Sequence, residues 1–345
     1  MKSTRGFLLR RSAVLLAALA LSAEGGSPMT EASDAKGGGV LLVANKGEHT
    51  LGIIDPVAGK QIATIAESGV TGHEVIASPD GRTAYVPIYG DSGVGKPGSD
   101  GRTMDVIDIA SRKLVKTIDF GGPERPHCPM FGADGRLYVT TEISNTITVI
   151  DPKTHTIVDR IPTGQPESHM VALSRDGARA YTSNVHVGTV SVIDVKAKKV
   201  LKVIPVSSYA QRIALSVDDK WIFTADQTQP RLAVIDAAAG AVKQWVALPG
   251  IAYGTATTPD GKSLLITVLG VNKVAVLDLK SLQIAQTLDV PAAPQEIVVR
   301  PDGKTAYVSC DASKKVAAID TATWKVEKLI DAGAAADGLA WAAAR

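Results

Sequence analysis

The feature that most constrains this chain is a repeat. Two short phrases recur along it. The first has the composition of a tight hairpin turn: Pro79-Asp80-Gly81, Ala133-Asp134-Gly135, Arg175-Asp176-Gly177, Val217-Asp218-Asp219, Pro259-Asp260-Gly261 and Pro301-Asp302-Gly303. From Asp134 onward these aspartates recur every 42 residues. The second phrase closes an alternating strand with Asp and occurs seven times: Ile54-Asp55, Ile107-Asp108, Ile150-Asp151, Ile193-Asp194, Ile235-Asp236, Leu277-Asp278 and Ile319-Asp320. Between the phrases lie runs such as Thr189-Val190-Ser191-Val192-Ile193, whose alternation and β-branching suit half-buried strands. Each unit accommodates four strands, with Asp-Gly supplying the positive-φ position that a hairpin between the first two requires. A unit of this length built from four strands is a propeller blade, whereas solenoids of similar period need amphipathic helices that this sequence lacks.

Counting the units predicts a closed ring. The first unit, beginning near Val40, has a second, third and fourth strand but no preceding hairpin, while Asp337-Gly338-Leu339-Ala340-Trp341 matches the start of an inner strand. The C-terminal strand is therefore expected to complete the N-terminal blade. The predicted fold is an all-β, seven-bladed propeller of four-stranded blades over residues 39–345, with no open edge and a monomer as the default.

Ahead of the propeller, Lys2, Arg5, Arg10 and Arg11 precede the apolar run Ser12–Ala23, too short to span a bilayer as a helix. Residues 1–23 read as an export signal and 24–38 as a flexible lead-in. A general secretory signal is favoured, with twin-arginine export as the alternative that Arg10-Arg11 keeps open. The expected destination is the periplasm or the exterior, and no cysteine there offers a lipid anchor. The formal charge of +2 falls to about −2 once four of the 37 basic residues leave with the signal, against 35 acidic ones. With only four Trp, seven Tyr and four Phe, this balance argues against a nucleic-acid partner. Cys128 and Cys310 fall on distant blades and are expected to be free thiols.

The units YVTTEISNTITVID (138–151), AYTSNVHVGTVSVID (180–194) and AYVSCDASKKVAAID (306–320) resemble the YVTN-type propeller repeat, in the group that includes YncE-like proteins. The resemblance covers roughly residues 40–343. What it implies for function is broad, since propellers similar to this repeat include surface-layer proteins, a single-strand DNA binder, lactonases, streptogramin lyase, the methylamine dehydrogenase heavy chain and nitrous oxide reductase. Fold does not choose among these.

The position seven residues before each hairpin Asp holds His73, His127, His169, Gln211, Tyr253 and Gln295, and by the same period Asp337. Three of the six histidines thus share one phase on consecutive blades, at the end of the inner strands that faces the funnel mouth. Neutral imidazoles converging there suit one transition metal such as Cu, Zn, Mn or Fe. Arg125, Arg212, Gln211, Tyr253, Gln295, Glu296 and Asp337 are candidates for the ligand-binding funnel. Glu74, Glu142 and His186 are candidate acid–base groups, since His paired with a carboxylate is the usual proton-transfer kit. The interval from Asp55 to Asp108 is 53 residues, and the surplus falls in Tyr89–Arg102, which should overhang this face. Gly90, Gly95 and Lys96 in that insertion mimic a phosphate loop, but Pro97 stands where the Ser or Thr should be, so no nucleotide is expected.

The residues favour an exported propeller that binds a small molecule, a metal or a periplasmic protein at the His-lined mouth. They leave open whether it is an enzyme. A metal-dependent or His acid–base lyase or lactonase is one alternative. A subunit of a periplasmic, amine dehydrogenase-like redox system is the other, although no haem motif is visible and no haem is expected.

Overall fold

Seven four-stranded antiparallel sheets make up the computed structural model, which describes residues 38–91 and 93–344. The export signal and nearly all of the lead-in lie outside these residues. Blade 1 is ordered Ala336–Ala343, Gly39–Asn45, Thr50–Asp55, Lys60–Ala66, so the C-terminal strand completes the N-terminal sheet as the unit count requires. Its register runs Gly39 opposite Ala343, Leu41 opposite Trp341 and Val43 opposite Leu339. The only helical turn among the described residues is Asp311–Ser313, and no helix there is long and apolar enough to cross a membrane.

The repeated aspartates build the turns. Oδ1 of Asp80, Asp134, Asp176, Asp218, Asp260 and Asp302 each accepts the backbone N–H two residues on. This bond holds the inner hairpin in a local Asx geometry. The positive-φ slot after it is filled by Gly in five hairpins and by Asp219, at φ 58°, in the sixth. The strand-closing aspartates work the same way in all seven blades: Asp55, for example, accepts from Val57 and Ala58, and Asp320 from Ala322 and Thr323.

Packing falls on the second and third strands. Their inward aliphatics, among them Leu41, Ile54, Val139, Ile150, Ile222, Ile235 and Ile319, have no exposed surface, and each such side chain contributes about 1.5–3 kcal/mol by leaving water. Fourth strands are mostly exposed, with a buried aliphatic next to the end, and carry charges such as Lys113, Lys202 and Lys328, which blunt pairing at the outer edge. First strands stand next to one another around the axis and line a central channel. Cys128 and Cys310 are buried free thiols. His49 lies exposed in a turn, whereas His155 is half-buried with its ring 6.1 Å from that of Tyr85.

Candidate functional site

The phase position lies where the inner strands break register. The ladder to the second strand shifts between Pro126 and Pro129, Ser168 and Met170, Gln211 and Ala214, Ala252 and Thr255, and Pro294 and Ile297. Blade 1 does the same around Asp337. Such bulges turn a side chain out of the pleat, here towards the funnel. Second-strand hydroxyls then fasten the bulged backbone: Thr140 Oγ1 donates to the carbonyl of His169 at 2.7 Å, and Thr267 Oγ1 to that of Gln295 at 2.7 Å, each from the preceding blade. Left-handed backbone two residues before the phase position recurs at Arg125, Glu167, Ala293 and Ala335. Blade 5 departs from this pattern, because there the left-handed residue is Arg212 itself, at φ 63°. A non-glycine residue in that region costs about 1–3 kcal/mol, which the surrounding contacts must offset.

One half of the mouth is aromatic. The ring centroids of His127 and His169 are 3.6 Å apart, and His73 meets His127 edge-on at 5.5 Å. Tyr89, the first residue of the insertion, covers all three histidines, with centroid distances of 4.8 Å to His73, 5.2 Å to His127 and 6.0 Å to His169. Glu142 ties the group together: its Oε2 accepts from the Tyr89 hydroxyl at 2.7 Å, and its Oε1 bonds His169 Nδ1. Tyr89, His127, Glu142 and His169 are all buried. Burial, reinforced by neighbouring cationic groups, lowers His73 to about 3 despite the pull of Asp337. Burial also holds His127 well below the usual imidazole range, so both rings are neutral at physiological pH.

The other half is ionic. Arg212, buried, pairs through Nη1 with Glu74 and with Glu296 Oε2 at 2.7 Å, and through Nη2 with Asp337 Oδ1 at 3.5 Å. Its guanidinium lies 4.4 Å from the Tyr253 ring centroid. Lys46 reaches Asp337 Oδ2 at 3.1 Å and Asp311 at 3.9 Å. Burial pushes Glu74 up to about 8, against the pull of Arg212, and raises Glu296. Burial would raise Asp337 as well, but Lys46 and Arg212 hold it below the ordinary carboxylate range.

The insertion closes over the aromatic half. Arg125 Nε donates to Asp100 Oδ1 at 2.5 Å, and its Nη groups donate to the carbonyls of Gly93 at 3.3 Å and Lys96 at 2.6 Å. The same guanidinium stands 5.8 Å from the Tyr89 ring centroid. Gly95, at φ 64°, abuts the Glu167 carboxylate and the His186 ring so closely that a Cβ there would collide with the carboxylate and crowd the ring. His186 is therefore at the rim, its Nδ1 2.5 Å from Glu167 Oε2, and does not join the other three histidines.

Of the three acid–base candidates, Glu142 belongs to the aromatic half, Glu74 to the ionic half and His186 to the rim. Gln211 is buried at the mouth, while Gln295 is half-buried and donates to the Ala293 carbonyl at 3.4 Å. Sequence reasoning missed Tyr89 and Lys46 as functional residues. Tyr89 had a signal, as the residue on which the insertion starts; Lys46 had none beyond following a strand.

The shared phase does bring His73, His127 and His169 into one cluster. No three His, Cys, Asp or Glu among the described residues are disposed to hold a bare metal ion, however. The packed rings and the Glu142 bond to His169 Nδ1 leave the three imidazoles without a common centre for such coordination.

Fold and site thus define a seven-bladed propeller with a packed histidine cluster beside a buried ionic network. The family described as Cytochrome D1 heme domain matches residues 133–340, more than half of the chain, and the protein belongs to that family. This overturns the expectation of a haem-free protein. Among solved structures, one titled Kuenenia stuttgartiensis Hydrazine Synthase is similar with a TM-score of 0.71 and 23% identity, covering 86% of this chain and 99% of that one. At that identity the likeness shows the fold alone. No curated protein matches the chain.

The donor chemistry at the mouth fits the family's haem. His127 Nδ1 is buried without a hydrogen-bond partner, an unusual and costly condition for a ring nitrogen, and a neutral imidazole is the common protein ligand of haem iron. The surrounding volume sets a condition, since Tyr89 and the Arg125-held insertion stand against the same ring and must move aside for a macrocycle.

Proposed function

We propose that this protein is an exported redox propeller that holds a haem-class tetrapyrrole at its funnel mouth, with His127 as the iron ligand and His73 and His169 flanking it. The observation that carries the reading is the unpartnered, buried Nδ1 of a neutral His127. Family membership supports the ligand class. When bound, a haem supplies one-electron chemistry.

The chain's own residues shape what happens around it. Glu142, already bonded to His169 and Tyr89, orients both groups and can take or return a proton at His169 Nδ1. The Arg212 network fills the other half of the mouth with paired side chains. Arg125 ties the insertion down through Asp100 and the carbonyls of Gly93 and Lys96. The apolar run behind Arg10 and Arg11 supports a periplasmic setting, where a small molecule or a redox protein would meet the insertion face. Within the broader family, the YVTN-type assignment rests on the repeated units quoted above.

Hemin titration of the full chain, followed by absorption spectroscopy, tests this. One equivalent should bind with the spectrum of a histidine-ligated iron. His127→Ala should lose that spectrum while keeping the β-rich circular dichroism of the parent. Relaxing the clamp with Arg125→Ala should speed hemin uptake. Hemin that binds His127→Ala with an unchanged spectrum sinks the proposal, as does a parent protein that takes up none.

A further inference from the structure

Arg125 is buried beside the aromatic half of the mouth, and its hydrogen-bond partners differ in kind. Nε pairs with the Asp100 carboxylate, a partner of matching charge. The two terminal nitrogens donate instead to uncharged backbone carbonyls, Nη1 to that of Gly93 at 3.3 Å and Nη2 to that of Lys96 at 2.6 Å. One oxygen on each terminal nitrogen is also the end-on fork in which a guanidinium takes a single carboxylate. A carboxylate makes the stronger bonds, because an ionised acceptor binds a charged donor better than a neutral carbonyl does. The insertion thus fills an anion site with weaker acceptors.

The segment that supplies those acceptors is lightly held. Its neck is pinched where the Asp91 N–H donates to the Ser99 carbonyl at 3.1 Å and the Ser99 N–H donates to Asp91 Oδ1 at 2.5 Å. Beyond the neck the Lys96 N–H donates to the Gly93 carbonyl at 3.0 Å, so both acceptors sit on one turn and move together. Of residues 93–98 only Val94 is buried. Among the described residues, every hydrogen bond from 93–98 to the rest of the protein ends on Arg125. A segment with so few buried apolar contacts opens at low cost. Arg125 and His127 also flank one ring, the guanidinium 5.8 Å and the imidazole centroid 5.2 Å from the Tyr89 centroid.

We propose that Arg125 anchors a carboxylate of the ligand at the mouth, and that the turn at 93–96 is a built-in stand-in which this carboxylate displaces. The inference rests on the tetrapyrrole reading of the mouth and adds that the ligand is acidic. In the exchange the guanidinium keeps Asp100 on Nε and trades the carbonyls of Gly93 and Lys96 for the two oxygens of one carboxylate. Only hydrogen bonds change. The freed turn hydrates its carbonyls and leaves the rim, where Gly95 rests against Glu167 and His186.

Fluorescence titration of the full chain with metal-free protoporphyrin IX, a diacid, against its uncharged dimethyl ester provides the test. Neither probe holds iron, so the result does not depend on His127 as a ligand. The parent protein should bind the diacid about tenfold or more tightly than the ester. Arg125→Ala should lose about that factor for the diacid and leave the ester within about twofold. Gly95→Ala, whose added Cβ collides with the Glu167 carboxylate, should speed uptake and keep the preference for the diacid. The parent's own ratio needs no variant, so the test stands even where Arg125→Ala fails to fold. Equal binding of acid and ester by the parent overturns the proposal, and so does an Arg125→Ala protein that loses both alike, the mark of a merely structural arginine. A parent that binds neither porphyrin overturns it together with the tetrapyrrole reading. Protoporphyrin that binds as expected, while hemin shows no histidine-ligated spectrum, removes the His127 assignment and leaves Arg125 standing.

Discussion

The two halves of the funnel mouth occupy equivalent slots in the blades and solve burial in opposite ways. On blades 2–4 the slot holds His73, His127 and His169, whose rings pack together, with His73 and His127 held neutral by burial. On the remaining blades it holds Gln211, Tyr253, Gln295 and Asp337, beside an arginine enclosed by carboxylates. The same backbone bulge thus presents either ring nitrogen or paired charge. A half whose charges are tied to one another serves as a floor. A half with a spare nitrogen can bind.

The comparison breaks most visibly at Arg212. Arg212→Met leaves Glu74, Glu296 and Asp337 facing one another without their buried cation, and should cost about 3–5 kcal/mol in chemical denaturation. Removing Glu296 instead should cost less, because Asp337 and Glu74 still satisfy the guanidinium.

Acid separates the halves next. His73 is held near 3 in the folded protein, so between about pH 6.5 and 3 the unfolded chain binds a proton that the folded one refuses. Stability should fall as the pH drops through that window, by about 1.4 kcal/mol per pH unit per histidine. His73→Phe should flatten this acid limb, which urea midpoints at successive pH values would reveal. Glu74 behaves oppositely: with its folded value raised to about 8, its contribution is greatest at low pH and is lost as the pH rises from the unfolded carboxylate value through 8.

Within the aromatic half, Tyr89→Phe removes the hydroxyl that donates to Glu142 and should cost about 1–3 kcal/mol. A loss below 0.5 kcal/mol, roughly the scale of a surface substitution, would mean that the insertion is not anchored through Tyr89. The smallest effect lies at the far end of blade 5, where Asp219→Gly relieves a positive φ but removes the carboxylate that accepts from the Arg175 N–H, so stability should change by only a few tenths of a kcal/mol, with no effect at the mouth.

Much of this architecture was legible because its causes are local. Asp80, Asp134 and their equivalents cap turns within two residues of themselves, and alternation along Thr189–Asp194 decides which face is buried. A shared phase also placed His73, His127 and His169 at one level. Their consequences were less legible. The shared phase of three imidazoles favoured a bare metal and the lack of a haem motif favoured no haem, whereas the rings pack together and one nitrogen is claimed by Glu142, a residue 27 positions away in the chain. His186 looked equivalent to Glu142 as an acid–base candidate, yet it is held at the rim by Glu167.

Blade number, strand order, turns and ring closure all follow from residues a few positions apart in a pattern that then repeats. It took the folded ring to bring Arg212 to Glu74 across 138 residues, Lys46 to Asp337 across 291, and Tyr89 over the histidines. Those contacts exist because ring closure brings all seven inner strands around one axis, where a side chain's partners are set by angle around the funnel and not by distance along the chain.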